Sequence, residues 1–180
     1  YSTDLGNTFG NLVNRAIAMS KKYFDGNVPP ADTDKASMPF GNKSAWDGKG
    51  GLDAIRHEVE SAFVRHRCDE VLAAIWDGVG EEKKSGLFQA NKLIEETQPF
   101  KLVKEDPEAV ANILYALLES IRWYAWMLQP IMPKISSHIF EQLGLDAEKE
   151  LSTGWDQGLK WGGLKPGAAL GEPKPLFPRS

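Results

Sequence analysis

The sequence predicts an all-α fold, in which antiparallel helices form a bundle. Two observations indicate this class: apolar residues recur at helical spacing in several segments, and glycine or proline residues end most of these segments. The chain has 180 residues, of which 42% are hydrophobic. A chain of this size and composition can bury a sizeable core, so we expect one domain with an appended arm.

The first predicted helix runs from about Asp4, a suitable N-cap, to about Phe24, where the sequence DGNVPP ends it. One face of this helix carries an apolar stripe that should bury against the rest of the domain. The stripe consists of Leu5, Phe9, Leu12, Val13, Ala16 and Ile17. Residues 27–50 are rich in proline and glycine and are predicted to form a loop, with Phe40 and Trp46 as its anchors.

Three helical segments are predicted in the middle of the chain. One begins at about Asp53 and continues or kinks near Cys68, and the next begins at Asp69. The glycine-containing segment DGVGEEKKSG then predicts a break or a surface excursion. Helix resumes through LFQANKLIEET and stops before Pro99, because a residue that precedes proline disfavours the helical conformation.

The strongest helical pattern of the chain spans residues 107–128. Asp106 can cap this helix, Pro107 suits its first position, and its wide apolar surface is typical of a central bundle helix. The segment KISSHIFEQLG predicts a final helix that ends at Gly144.

The segment from Trp155 onward has no helical period and many glycines and prolines, yet it is too apolar for a free tail. We therefore expect an extended arm, with or without short strands, that packs back across the bundle. The predicted organisation is a helical bundle over residues 1–150 and an arm over residues 151–180, both within the same domain.

The most informative polar feature is a row of three side chains on the first helix. Asn7, Asn11 and Arg15 follow one another at four-residue spacing, which places them on one helix face. Carboxamide and guanidinium groups can each form two hydrogen bonds with a planar partner, so this face suits nucleobase edges and phosphate. The alternative is that the asparagines bond to solvent or backbone and that Arg15 forms a surface ion pair.

Charge and residue content disfavour several classes of protein. The net charge of -4 disfavours binding through diffuse positive charge, so a nucleic acid would be recognised by local groups. Cys68 is the single cysteine and cannot form an internal disulfide, and the spacing of the histidines does not favour a metal site. No apolar run reaches the roughly 20 residues that cross a membrane. Because the sequence opens with Tyr1, we expect it to be part of a longer polypeptide.

Four motifs follow one another along nearly the whole chain. They are DLGN with GNLVNR in the first helix, ANKLIEETQPFKL in the middle, LQPIMPKISSHIFEQLG near the last helices, and PLFPR at the end. Each motif alone is weakly specific, but their combination and order resemble the anticodon-binding domain of methionyl-tRNA synthetases, which are class I aminoacyl-tRNA synthetases. The resemblance implies a helix bundle of the class I anticodon-binding type that binds the anticodon loop of methionine tRNA.

The resemblance also implies that an N-terminal catalytic domain of the same polypeptide attaches methionine to this tRNA, and that the present chain alone is not catalytic. The family's catalytic domain carries HIGH-like and KMSKS-like motifs, and no histidine here lies in the first pattern. The segment AMSKKY echoes the second motif but lies inside the first predicted helix, so its lysines are interpreted as solvated. We expect no catalytic residue, metal or cofactor here.

For the parent enzyme, the resemblance implies an ATP-dependent methionine-tRNA ligase that uses Mg²⁺. We expect this enzyme to act in the cytoplasm, or in an organelle, and to bind neither a membrane nor DNA.

Family members recognise the anticodon through side chains of the first helix and an aromatic residue that follows a proline. Asn7, Asn11 and Arg15 match the helix positions, and Pro99 matches the proline. Phe100 stands where the family usually has tryptophan, which keeps a face for stacking on an unpaired base but removes the indole N–H donor. On chemistry alone, an aromatic residue after a proline is more often a core residue.

Several details stay open from sequence. The stretch 78–86 is longer than the corresponding family segment, which leaves the approach of Phe100 to the first helix undetermined. Lys21 and Lys22 could contact phosphate or remain solvated, and Asn91 and Lys92 are assigned to bundle packing or the helix surface.

Two other functions compete with the tRNA interpretation. The chain could be the corresponding domain of a class I synthetase for cysteine, leucine, isoleucine or valine, which shares the bundle and differs in its recognition residues. It could also be a helical protein-interaction module, as the acidic charge and the aromatic arm indicate. Salt-sensitive RNA binding distinguishes the second alternative from the tRNA interpretation.

Overall fold

The computed structural model describes residues 2–40, 46–83 and 85–177, and their side chains from residue 6 onward. Its regular elements are helices, which confirms the predicted all-α class. In chain order they are α1 (Ser2–Tyr23), α2 (Thr33–Ala36), α3 (Lys49–Val64), α4 (Cys68–Asp77), α5 (Leu87–Thr97), α6 (Pro99–Leu102), α7 (Pro107–Leu128), α8 (Pro133–Gln142), α9 (Ala147–Ser152) and α10 (Trp155–Gly158). In the part of the chain described, no helix is both long and apolar enough to cross a membrane.

The bounds of α5 and α7 are those predicted from the sequence. The carboxylate of Asp106 accepts a hydrogen bond from the backbone N–H of Ala109 at 3.0 Å, so the predicted cap of α7 is confirmed. Helix α1 is longer than predicted at its start, and Asp4 lies inside it rather than at its N-cap. The side chains of Asp4 and Leu5 lie outside the described part of the structure.

Helix α3 begins at Lys49, four residues before the predicted start. The sequence around Gly51 looked like a helix breaker, but this glycine is needed for close packing: a Cβ there would lie 2.7 Å from the Cβ of Ser85. The hydroxyl of Ser85 also accepts a hydrogen bond from the backbone N–H of Asp47 at 3.2 Å. Helix α3 ends before Cys68, where α4 begins as a separate element.

Four short helices depart from the predicted pattern. Helix α2 lies inside the predicted loop 27–50, α6 directly follows the end of α5, α9 ends just inside the predicted arm, and α10 lies within the arm. Trp155 therefore begins a helical turn, whereas the sequence predicted extended chain from this residue. The predicted last helix, α8, ends two residues before Gly144, which takes a left-handed conformation with φ of +77°.

Helix α7 lies at the centre of the bundle and contacts most of the other helices, among them α1, α2, α3 and α8. Every residue from Val110 to Leu128 is buried, so this helix presents its whole circumference to protein rather than to solvent. Its neighbours contribute apolar side chains to one continuous core. A helix buried on all sides must also bury its polar residues, which here need internal partners.

Glu119 and Arg122 are two charged residues of α7 that are buried in this core. The guanidinium of Arg122 donates to the Glu119 carboxylate at 2.6 Å and to the Glu150 carboxylate at 2.9 Å. It also donates to the backbone carbonyls of Gly158 and Lys160. Burial alone would lower the pKa of Arg122, but the two carboxylates outweigh that effect and raise it, so the guanidinium is held in its charged form.

The Glu119 carboxylate also holds the beginning of the arm. It accepts hydrogen bonds from the backbone N–H groups of Gly162, Gly163 and Leu164, at 3.0, 3.1 and 3.1 Å. The hydroxyl of Tyr115 donates to the carbonyl of Leu164 at 2.8 Å. Buried side chains of the central helix therefore fix the path of the arm.

The rest of the arm runs along α1 in the opposite direction. The backbone N–H of Val28 donates to the carbonyl of Ala168 at 2.8 Å, and Lys21 pairs with Glu172 at 2.6 Å. Instead of short strands, the described part of the arm forms an isolated antiparallel bridge between Asn27 and Ala169.

Two glycines of α1 differ in what surrounds them, which allows a matched test of the arm contact. A Cβ at Gly10 would meet no atom within 4 Å, whereas a Cβ at Gly6 would lie 2.8 Å from the ring of Phe177. Gly10→Ala is therefore expected to raise the free energy of unfolding by about 0.5–1 kcal/mol, because alanine favours helix. Gly6→Ala should gain less or lose stability, since the ring must move. Urea denaturation checks both, and equal gains would contradict the contact.

Candidate nucleic-acid interface

Helices α1 and α5 lie side by side and form the two walls of the candidate site. The side-chain amide of Asn91 donates to the carbonyl of Thr8 at 3.4 Å, and Arg15 lies 3.8 Å from the carboxylate of Glu95. From the first contact to the second, the residue number rises on both helices. Helices α1 and α5 therefore run parallel, with their C-terminal ends on the same side of these contacts. Asn91 thus takes the packing role predicted for it, and Lys92 pairs with Glu96 on the surface.

The space between these walls is an open groove of about 330 Å³. Its α1 wall includes Asn11, Asn14 and Arg15, and its α5 wall includes Phe88 and Glu95. Both asparagines are exposed, and the Arg15 side chain keeps 40% of its surface in solvent. The groove therefore presents amide and guanidinium donors, a carboxylate acceptor and an aromatic face to solvent.

Asn7 is exposed, but it does not line this groove. Each four-residue step along a helix advances the direction of the side chain by about 40°, so Asn7 and Arg15 point about 80° apart. Arg15 faces α5, and Asn7 lies outside that wall. Of the predicted row, the structure brings Asn11 and Arg15 together in the groove and leaves Asn7 beside it.

Pro99 and Phe100 form the first turn of α6, directly after α5. Gln98 connects the two helices in a left-handed conformation with φ of +46°, and Pro99 is buried at the first position of α6. The ring of Phe100 is 51% exposed, which rules out the core role that its chemistry alone favoured. The ammonium of Lys101 lies 5.8 Å from the centre of this ring.

Phe100 is not part of the groove lining, but the direction of α5 shows toward which end of the groove it lies. Because α5 and α1 advance in the same sense, the end of α5 that leads into Phe100 lies toward Arg15 rather than toward Asn7. The aromatic ring therefore lies beyond the Arg15 end of the groove.

Two of the charged side chains around the site, Arg15 and Lys21, form surface ion pairs. The contact between Arg15 and Glu95 is long, and the Glu95 side chain is 71% exposed, so an incoming polar ligand can replace it at a cost of about 0–1 kcal/mol. Lys21 is paired with Glu172 of the arm, whereas Lys22 is exposed with its ammonium 5.5 Å from the centre of the Tyr23 ring. Lys22 is thus the more available cation of the two.

Four groove residues were not singled out from the sequence: Thr8, Asn14, Phe88 and Glu95. Asn14 belongs to the GNLVNR motif, but it lies off the four-residue spacing of the row. Phe88 and Glu95 are seven residues apart on α5, which puts them on one helix face, but nothing in the sequence tells whether that face is exposed. Among the described residues, no cluster of histidine, cysteine or acidic side chains could hold a metal ion.

Comparison with known families gives this geometry its context. The family profile described as the anticodon binding domain of methionyl tRNA ligase matches residues 49–179. The chain belongs to this family. The assignment decides against the corresponding domains of the other class I synthetases as its family.

Curated relatives of this methionyl-tRNA ligase anticodon-binding domain are methionine–tRNA ligases. That of Halalkalibacterium halodurans is 32% identical over 98% of the chain, and that of Enterococcus faecalis is 37% identical over 81% of it. The chain spans 24% of the length of the first and 20% of the second. The similarity is thus to one part of much longer ligases.

Solved structures of methionyl-tRNA synthetase share the fold of this anticodon-binding domain. The ligand-free enzyme of Mycobacterium tuberculosis superimposes with a TM-score of 0.75 at 30% sequence identity. The match covers 99% of this chain and 33% of that enzyme. The same enzyme with bound methionyl-adenylate gives a TM-score of 0.74 at 29% identity.

Proposed function

We propose that this chain recognises the anticodon loop of methionine tRNA. The observation that carries the proposal is the groove between α1 and α5, in which Asn11 and Arg15 expose hydrogen-bond donors, together with the exposed ring of Phe100 on α6, the helix that follows α5. Unpaired bases in RNA loops are recognised in this way, by stacking on aromatic rings and by hydrogen bonds to their polar edges. The family assignment supports the same function.

In the proposed mechanism, a loop base leaves the stack of its neighbours and rests on Phe100. Asn11 and Arg15 then bond the polar edges of the loop, and Asn7 contacts the RNA from the outer side of α1. A base with the wrong pattern of donors and acceptors would leave these groups without partners, which costs about 1–3 kcal/mol for each group. The side chains of this interface thereby discriminate between anticodons.

The proposed cellular role rests on the relatives, which are ligases much longer than this chain. Within a methionine–tRNA ligase, this domain would hold the tRNA while a catalytic domain of the same polypeptide, using ATP and Mg²⁺, attaches methionine. We expect the present chain alone to form no aminoacyl-adenylate. The proposed site of action is the cytoplasm or an organelle, with neither a membrane nor DNA as a partner.

Arg15→Ala and Phe100→Ala are each expected to weaken binding of an RNA hairpin with the methionine anticodon loop by roughly five- to 150-fold. The first variant loses a charged donor to the RNA, and the second loses a stacking face, each worth about 1–3 kcal/mol. Fluorescence anisotropy at fixed salt measures the dissociation constants, and circular dichroism should show unchanged helix content.

Glu95→Gln is the matched control for Arg15, because it also breaks the ion pair of the groove but leaves the arginine free. If Arg15 acts only through that pair, both variants should behave alike. If Arg15 binds RNA, only Arg15→Ala weakens the complex.

Hairpins of cysteine and leucine tRNAs should bind more weakly, and the affinity should fall with salt concentration. Equal affinity of Arg15→Ala, Phe100→Ala and the unaltered protein would refute the proposal.

A further inference from the structure

Phe88 is an exposed aromatic residue at the second position of α5, and it lines the groove between α1 and α5. Its side chain is 47% exposed, whereas the flanking Leu87 is fully buried. The buried residues of α5 thus pack this helix against the bundle without a contribution from Phe88. The ring adds little to the core and offers an apolar face to whatever enters the groove.

Polar side chains of both groove walls surround this ring. Asn11, Asn14 and Arg15 bring amide and guanidinium donors from α1, and Glu95 on α5 brings a carboxylate acceptor. A flat apolar face bordered by donors and an acceptor matches a nucleobase, which has an aromatic face and polar edges. A purely apolar partner would leave these polar groups unpaired, which makes a nucleobase the better occupant.

The position of Phe88 relative to Phe100 determines how many bases are held. Phe88 lies at the start of α5 and Phe100 follows the end of this helix, so the part of α5 from Phe88 to Thr97, roughly 14 Å long at about 1.5 Å per residue, separates them. One base cannot stack on both rings at that separation. The rings therefore serve two different nucleotides, and Asn11 and Arg15 lie on the groove wall opposite Phe88.

We infer that Phe88 is a second stacking platform, on which an unpaired nucleobase of the bound RNA loop rests in the groove between α1 and α5. The inference depends on the proposed function, since it assumes that the ligand is an RNA loop. It assigns to the groove a contact that is separate from the one at Phe100.

The matched control for this inference is Val64, an exposed apolar residue of α3 with 81% of its surface in solvent. Phe88→Ala should weaken binding of the methionine anticodon hairpin by about five- to 150-fold, as loss of a base–aromatic stack does. Phe88→Trp should preserve binding, because it retains an aromatic face. Val64→Ala should leave the dissociation constant unchanged.

A double-variant cycle then identifies the base. Each loop position of the hairpin is made abasic in turn, and each hairpin is measured with the unaltered protein and with Phe88→Ala. At the position that stacks on Phe88, the abasic hairpin should bind both proteins equally. The same cycle with Phe100→Ala should find a different position.

The outcomes separate this inference from the proposed function. If Phe88→Ala binds like the unaltered protein while Arg15→Ala and Phe100→Ala bind weakly, the second platform is refuted and the proposed function stands. If Phe88→Ala is weak but no abasic position cancels its effect, stacking is refuted as the cause. If the unaltered protein does not bind the hairpin in a salt-dependent manner, the proposed function fails and this inference fails with it.

Discussion

Glu119→Gln is expected to lower the free energy of unfolding by about 3–5 kcal/mol, because it removes one partner of a buried ion pair. Glu119 is fully buried, bonds to Arg122 at 2.6 Å and accepts three backbone N–H groups of the arm. Glutamine has a similar shape, but its NH₂ group cannot accept these bonds and its carbonyl carries no charge. Arg122 would remain buried and would lose its closest counter-charge. Urea denaturation measures the loss.

Glu148→Gln is the control for this variant, since Glu148 is an exposed acidic residue of α9. Its effect should stay within about 0.5 kcal/mol, as is usual for surface positions. Amide hydrogen exchange should also show faster exchange at Gly162 and Leu164 in Glu119→Gln, because their N–H groups lose the carboxylate. Equal stability of the two variants would show that the buried pair contributes nothing to the fold.

The second large effect is expected at alkaline pH, where two buried phenols resist ionisation. Burial raises the pKa of Tyr115 and of Tyr124 above their usual value, and neighbouring Glu119 raises that of Tyr115 further. Both hydroxyls donate to backbone carbonyls, Tyr124 to Ser85 and Tyr115 to Leu164. An ionised phenolate could not donate these bonds and would carry an unpaired charge into the core.

The direction in which stability changes with pH follows from the difference between the folded and unfolded pKa values of the phenols. The unfolded phenols have a pKa of about 10, so the stability that the neutral phenols provide is complete below pH 10 and is lost as the pH rises above it. Between the unfolded and the folded pKa, each phenol contributes a loss of about 1.4 kcal/mol per pH unit. Denaturation midpoints measured from pH 8 to pH 11.5 should therefore fall steeply above pH 10.

Tyr124→Phe isolates one phenol from the lysines that titrate in the same range. The variant should lose about 1 kcal/mol at neutral pH, because the hydrogen bond to Ser85 is absent. Above pH 10 its stability should fall less steeply than that of the unaltered protein, by about 1.4 kcal/mol per pH unit. Parallel pH profiles of the two proteins would mean that Tyr124 ionises in the folded state without cost.

The parts of the fold that could be predicted are those with a long helical period. The bounds of α5 and α7 were predicted because Gly86, Pro99 and Pro107 mark their ends and apolar residues repeat between them. The four-residue helices α2, α6 and α10 were missed, since one turn is too short to show a period. The start of α3 was misplaced because the role of Gly51 depends on Ser85, which is distant in sequence.

The candidate site could be predicted only where a local pattern existed. Asn11 and Arg15 share a helix face in the structure, as their spacing indicated, and Phe100 is exposed as its proposed stacking role requires. Phe88 was not noticed, because its apolar character fits a core residue equally well and only packing decides its exposure. The same holds for Glu119, whose partners 162–164 lie on the arm and cannot be inferred from the sequence of α7.

The course of the arm along α1 has a consequence for synthesis of the protein. Lys21 and Glu172, which pair across this contact, are separated by 151 positions in the chain. During translation, α1 emerges before the arm, and the segment that covers its flank emerges only after almost all the residues between them. The nascent chain therefore carries an uncovered flank of α1 while the intervening residues are added, and this helix completes its packing only when residues beyond 167 have left the ribosome.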